Sequence, residues 1–130
     1  MAQRQRSKQL QRQILALVNE WVPIVGLTHW SVTVEFDEAQ NTATARAQPE
    51  YFTLRLKFNV KEILSIQRSK HWLSELVLHE LCHALTWEQM QKQPKSKNKL
   101  FAELLDEQNE RETSLVARAI WRARYGKEVR

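Results

Sequence analysis

Leu10, Ile14, Leu17, Val18 and Trp21 fall at i, i+4, i+7, i+8 and i+11, the spacing of one apolar face of a helix. The spacing predicts a helix over residues 5–21, with the intervening arginines and glutamines facing water and Pro23 and Gly26 breaking the period. The period then falls to two. Trp30, Val32, Val34 and Phe36 alternate with Ser31, Thr33 and Glu35, and Phe52, Leu54, Leu56 and Phe58 alternate with Tyr51, Thr53, Arg55 and Lys57. Both runs read as half-buried strands. Between them "DEAQN" reads as a turn and "TATARAQ", closed by Pro49, as a further strand of small and polar residues. Short connections predict an antiparallel meander.

After Asn59 the period returns to that of a helix. Asn59 and Glu62 have the spacing of a capping box, with Asn in place of Ser or Thr. They predict a short helix over 60–67. Ser69 is a cap for a longer helix over about 70–91, where Leu73, Leu76, Val77, Leu78, Leu81, Ala84 and Leu85 predict a central, largely buried element. "QKQPKSKNK" holds no apolar residue and reads as an exposed loop. A last helical region over about 99–125, in one or two pieces, carries Phe101, Leu104, Leu105, Leu115, Val116, Ala119 and Ile120, and Gly126 stops it. The expected class is α+β: an N-terminal helix, a small three-stranded, mainly antiparallel sheet, a central helix and a C-terminal helix.

Length and composition narrow this picture. A chain of 130 residues fits a single domain over 1–130, and 42% apolar residues can fill its core. One cysteine, Cys82, excludes an intramolecular disulfide framework. The start "MAQRQRSKQLQRQILALVNEW" lacks the pattern of a secretory signal, and no stretch approaches the ~20 apolar residues of a membrane span. The expectation is a soluble, cytoplasmic protein without a membrane partner. The net charge of +5 suits nucleic acid or acidic partners. The basic residues are spread from Arg4 to Arg130, however, which reads as a solvated surface rather than a dedicated groove.

The candidate chemistry lies in "ELVLHELCHAL", Glu75 to Leu85. On a helix His79 and His83 share a face one turn apart, and neutral imidazoles there are good zinc ligands. Glu80 lies about 100° round the helix from His79, placed to reach a zinc-bound water without being a ligand. This is the H-E-x-x-H arrangement of zinc peptidases. A catalytic zinc takes three protein ligands and leaves one position for water. No histidine follows His83, and the others, His29 and His71, precede the motif. A downstream ligand must then be a carboxylate, and Glu103, Asp106, Glu107, Glu110 and Glu112 are available.

"HELCH" followed by a helical glutamate resembles the gluzincin class of zinc metallopeptidases, typified by thermolysin. There the third ligand lies in an "NExxSD"-like segment, and this chain has "NERETS", Asn109 to Ser114. The resemblance implies Glu110 as the ligand, with Thr113 and Ser114 at the small and polar positions after it. Ser114 replaces the aspartate that supports a ligand histidine in that class. Glu112, the main competitor, points roughly 200° away from Glu110 on the same helix. Over residues 27–121 the pattern is similar to minimal gluzincins: short phage- and prophage-encoded metallopeptidases and ImmA/IrrE-type peptidase domains. The SprT/Spartan class begins with a similar motif, but its third ligand is usually histidine.

The resemblance implies a small zinc-dependent peptidase acting on a peptide or protein, with His79, His83 and Glu110 on the metal and Glu80 as general base. Tyr51, His71 and Arg118 are oxyanion-stabilising candidates by residue type. Residues 51–58 are the expected platform on which a substrate adds as a strand. Cys82 reads as an inert buried thiol, and Trp30, Trp72 and Trp87 as packing residues. The alternative is an inactive or regulatory zincin-fold module that binds nucleic acid or a protein through its basic surface.

Overall fold

Helix α1 (Ala2–Ile24) buries the expected stripe: Leu10, Ile14, Val18 and Trp21 are all within the core, and Leu17 packs at its margin. The helix runs past the expected end and carries Pro23 in its last turn. Gly26 then ends it at φ +79. Its N–H donates to Pro23 O at 3.2 Å, and Leu27 N–H donates to Val22 O at 2.9 Å, the paired bonds of a Schellman motif. Positive φ is the reason for glycine at this position. The computed structural model describes residues 2–36, 41–66, 70–92 and 99–126. Residues 37–40 of the expected "DEAQN" turn, the Ser69 cap and residues 93–98 of the expected "QKQPKSKNK" loop lie outside the described residues, whereas residues 91, 92 and 99 of that loop are helical.

Three strands follow: β1 (Ser31–Phe36), β2 (Ala43–Gln48) and β3 (Thr53–Phe58). Their spatial order is β1-β3-β2, with β1 parallel to β3 and β2 antiparallel to it. The sheet is therefore mixed, which corrects the expected antiparallel meander. Alternation along a strand sets which face is buried but not which strands are neighbours. The chain places the strand with three fully buried residues, Leu54, Leu56 and Phe58, at the centre. Val32, Val34 and Phe36 lie beside them in register and on the same face. Ala43, Ala45 and Ala47 complete that face on β2.

The third strand is also shorter than its alternation suggests. Pro49–Tyr51 form a 3-10 turn, and Phe52 takes φ 53, ψ 44 before β3 begins. Left-handed backbone costs a bulky residue about 1–2 kcal/mol. It is held by two bonds: Phe52 N–H donates to Pro49 O at 3.1 Å, and Ser31 N–H donates to Phe52 O at 2.8 Å. The ring is left half exposed instead of joining the buried row.

Helix α2 (Val60–Ile66) begins as the capping spacing predicts, since Glu62 N–H donates to Asn59 Oδ1 at 3.1 Å. The reciprocal half is rerouted. Asn59 N–H donates to Thr42 O at 2.9 Å, and the Glu62 carboxylate accepts from the Thr42 hydroxyl at 2.9 Å. The cap thus ties the start of α2 to the start of β2.

Helix α3 (Lys70–Lys92) packs against the C-terminal helix and α1 and meets the sheet chiefly at β2, whose inward residues are the small Ala43, Ala45 and Ala47. Leu73, Val77, Leu78, Leu81, Cys82 and Ala84 are buried beneath it, whereas Leu85 is exposed. Helix α4 (Lys99–Tyr125) is one continuous helix lying against α3. Its end is an αL cap: Gly126, at φ +67, donates its N–H to Arg122 O at 2.7 Å. Its buried stripe differs from the expected one. Asn109, Thr113, Ala117 and Trp121 face inward, and Leu104 and Leu115 face water. α1 and α4 meet where Trp21 stacks on Trp121 at 5.7 Å and Arg124 pairs with Glu20 at 2.8 Å. Trp21 also donates its buried indole N–H to Ser74 Oγ on α3 at 2.9 Å. No helix among the described residues is long and apolar enough to cross a membrane.

Candidate metal centre

α3 and α4 bring His79, His83 and Glu110 together. One donor atom from each of the three lies within 4.8 Å of the others. Nε2 of His79 is 3.0 Å from Glu110 Oε2, and Nε2 of His83 is 3.2 Å from Glu110 Oε1. Each separation runs to a different oxygen of the one carboxylate, so Glu110 faces both imidazoles at once. Two imidazoles and a carboxylate on facing helices can therefore hold a metal ion.

The electrostatics suit a cation. Burial pushes His83 below the usual imidazole range and Glu110 partly offsets it, with His79 reinforcing the depression. The ring is held neutral, as a ligand must be. Both histidines are half-buried, and the Glu110 side chain is 59% exposed, so the cluster opens to solvent on the α4 side.

The other ring nitrogens are also engaged. With a metal on Nε2, Nδ1 would carry the proton and could donate. Nδ1 of His83 lies 3.4 Å from Thr113 Oγ1, and Nδ1 of His79 lies 3.5 Å from Ser114 Oγ. Thr113 is fully buried and donates to Asn109 O at 3.0 Å, with Thr86 Oγ1 2.9 Å away. Adjacent positions on α4 thus serve the two histidines of α3 separately. Sequence spacing placed these two residues beside the glutamate, but their division between His79 and His83 follows only from how the helices pack.

Glu80 is only 6% exposed. Its Oε2 lies 4.0 Å from His83 Nε2 and has no hydrogen-bond partner among the described residues. Burial, followed by repulsion from Glu110, pushes its carboxyl up to about 8. A buried carboxyl oxygen without a partner is costly, and a cation held by the neighbouring cluster, with its water, would satisfy it. This orphaned oxygen is a second feature that fits a metal at the cluster.

The remaining candidates fall elsewhere. Glu112 is half-buried and outside the cluster, while Glu103 and Glu107 are exposed. Tyr51 is 71% exposed in the 3-10 turn, and His29 sits edge-on to Trp30 and Phe52. His71 is exposed, with its ring edge-on to Trp121. Arg118 lines a cleft of about 260 Å³ between α3 and α4, together with Trp72, Glu75, His79, Ser114 and Trp121. The cleft continues the line of the histidines along α3. Residues 51–58 do not offer a strand platform, because β3 is the central strand with both edges paired. Among the described residues β2 pairs only with β3, leaving an edge beneath α3.

Cys82, between Glu80 and His83, is fully buried, and burial pushes its thiol up to about 12. It packs in the core and takes no part in the cluster. No protein-family model matches the chain, and comparison with curated proteins and with solved structures returns no match.

Proposed function

We propose that this chain is a small, cytoplasmic, zinc-dependent peptidase of the gluzincin type. The observation that carries the reading is the convergence of His79, His83 and Glu110 beside a buried, unpartnered Glu80 oxygen. A purely structural ion would need no such carboxyl group beside it. Held by His79, His83 and Glu110, zinc would supply a water acidified to roughly pKa 7 and a Lewis acid for the scissile carbonyl. Glu80 takes a proton from the attacking water and passes it to the leaving amine. Thr113 and Ser114 fix the ring orientation of the two histidines. A peptide adds along the unpaired edge of β2, and the cleft lined by Trp72 and Trp121 takes a neighbouring side chain.

Metal analysis combined with a peptide-library digest tests the reading. Purified protein is expected to carry one zinc per chain and to cleave peptides. Glu80→Gln is expected to keep the zinc and lose cleavage. Stoichiometric zinc with full cleavage in Glu80→Gln would remove the assigned base, and a wild-type chain with no affinity for zinc would remove the reading altogether.

A further inference from the structure

The outward face of the sheet carries a second feature, which the metal site does not use. Its rows, read across β1, β3 and β2, are Ser31–Thr53–Gln48, Thr33–Arg55–Arg46 and Glu35–Lys57–Thr44. No apolar residue appears in them, and Arg46 and Arg55 are exposed. These two arginines are direct cross-strand partners in the register. Like charges at opposed positions destabilise a sheet, so the chain keeps a costly arrangement here. Among the described residues the compensation comes from Glu35, 3.7 Å from Arg55 and 3.9 Å from Lys57, with all three side chains at least one-third exposed. Such contacts are weak and screened. Arg46 has no ion pair among the described residues. A depression of about 320 Å³ opens between Thr44, Arg46, Arg55 and Lys57.

At the end where β1 and β3 begin, Phe52 is half exposed in its left-handed conformation. His29 and Trp30 sit edge-on to it at 5.2 and 5.8 Å. Cations along a flat face with aromatic rings at its end are the two components of a single-strand nucleic-acid site: phosphates lie on the cations and bases stack on the rings. A three-stranded sheet about 10 Å across matches one backbone, and among the described residues no helix lies on this face to enter a duplex groove.

We infer that this sheet face binds single-stranded nucleic acid, with Arg46, Arg55 and Lys57 on the phosphates and Phe52 against a base. The face lies opposite α3, so the inference stands whether or not the metal site is a peptidase centre.

Fluorescence anisotropy of the full chain with a labelled 12-nucleotide oligothymidine, at 50 and 200 mM salt, tests it. Arg46→Ala with Arg55→Ala is expected to weaken binding at least tenfold and to reduce the magnitude of the log–log salt slope by about 1–2. Phe52→Ala is expected to weaken it roughly 5- to 100-fold with the slope unchanged. Glu35→Gln frees two cations and is expected to tighten it. The arginine variants should melt no lower than wild type, because they relieve a like-charge pair, and should retain the wild-type metal content. Equal binding by the arginine variants would overturn the inference. So would displacement of the oligonucleotide by polyglutamate of matched charge, which would assign the face to an acidic protein, or equal affinity for a duplex.

Discussion

Oγ1 of Thr113 lies 3.4 Å from Nδ1 of His83 and also meets Thr86 Oγ1 at 2.9 Å, on a side chain with no solvent exposure. One hydroxyl therefore joins the packing of α3 on α4 to the orientation of an imidazole in the candidate metal cluster. Thr113→Val keeps the shape and removes the hydroxyl. It is expected to lower zinc affinity about 10- to 100-fold, measured by competition with a chromophoric chelator. Ser114→Ala acts on His79 through a longer contact, 3.5 Å, at a half-buried position and should have the smaller effect.

Glu110 and Glu112 separate cleanly. Glu110→Ala removes the carboxylate that faces both Nε2 atoms and is expected to abolish stoichiometric zinc. Glu112→Ala lies outside the cluster and should retain it. Elemental analysis of the two purified variants decides the assignment.

The metal-free protein should have a distinctive pH profile. The Glu80 carboxyl is raised to about 8 from 4.5, so the folded chain binds more protons than the unfolded one between those values. Its contribution to stability is present below about 4.5 and is lost as pH rises through 8. His83, depressed, acts in the opposite sense below about 6.5, which leaves Glu80 dominant above it. In EDTA, stability should fall by up to about 2 kcal/mol between pH 6.5 and 8. Urea midpoints should show this fall in wild type and a flatter profile in Glu80→Gln.

The Trp21–Ser74 bond joins α1 to α3 inside the core. Ser74→Ala leaves a buried indole N–H without its partner and is expected to cost about 1–3 kcal/mol, read from chemical unfolding with metal content unchanged.

Cys82 is expected to resist thiol reagents at pH 8 in the folded protein, because it is buried and its thiol is raised to about 12. Labelling should become rapid only in denaturant. Fast labelling of the native chain would contradict the packing described for α3.

What the sequence revealed depended on the physics involved. Helix α3 was legible because its buried face is apolar and its histidines stand one turn apart. The first half of the α2 cap was legible from Asn59 and Glu62, but Thr42, which takes the second half, lies far away in sequence. The buried stripe of α4 was not legible. Asn109 and Thr113 are polar residues at core positions, and hydrophobic periodicity instead favoured Leu104 and Leu115, which are exposed. Strand order was equally hidden, since alternation is the same for a central and an edge strand. The left-handed turn at Phe52 interrupts an alternation that sequence alone would continue.

His79 and His83 belong to one long helix and Glu110 to the next. An ion shared by them would act as a clasp between two halves of the molecule, in addition to any reagent role. Under that reading, the attachment of α4 depends on how much metal surrounds the protein. Stripped of the ion, α4 would be held by its packing on α3 and by the Trp21–Trp121 and Arg124–Glu20 contacts to α1.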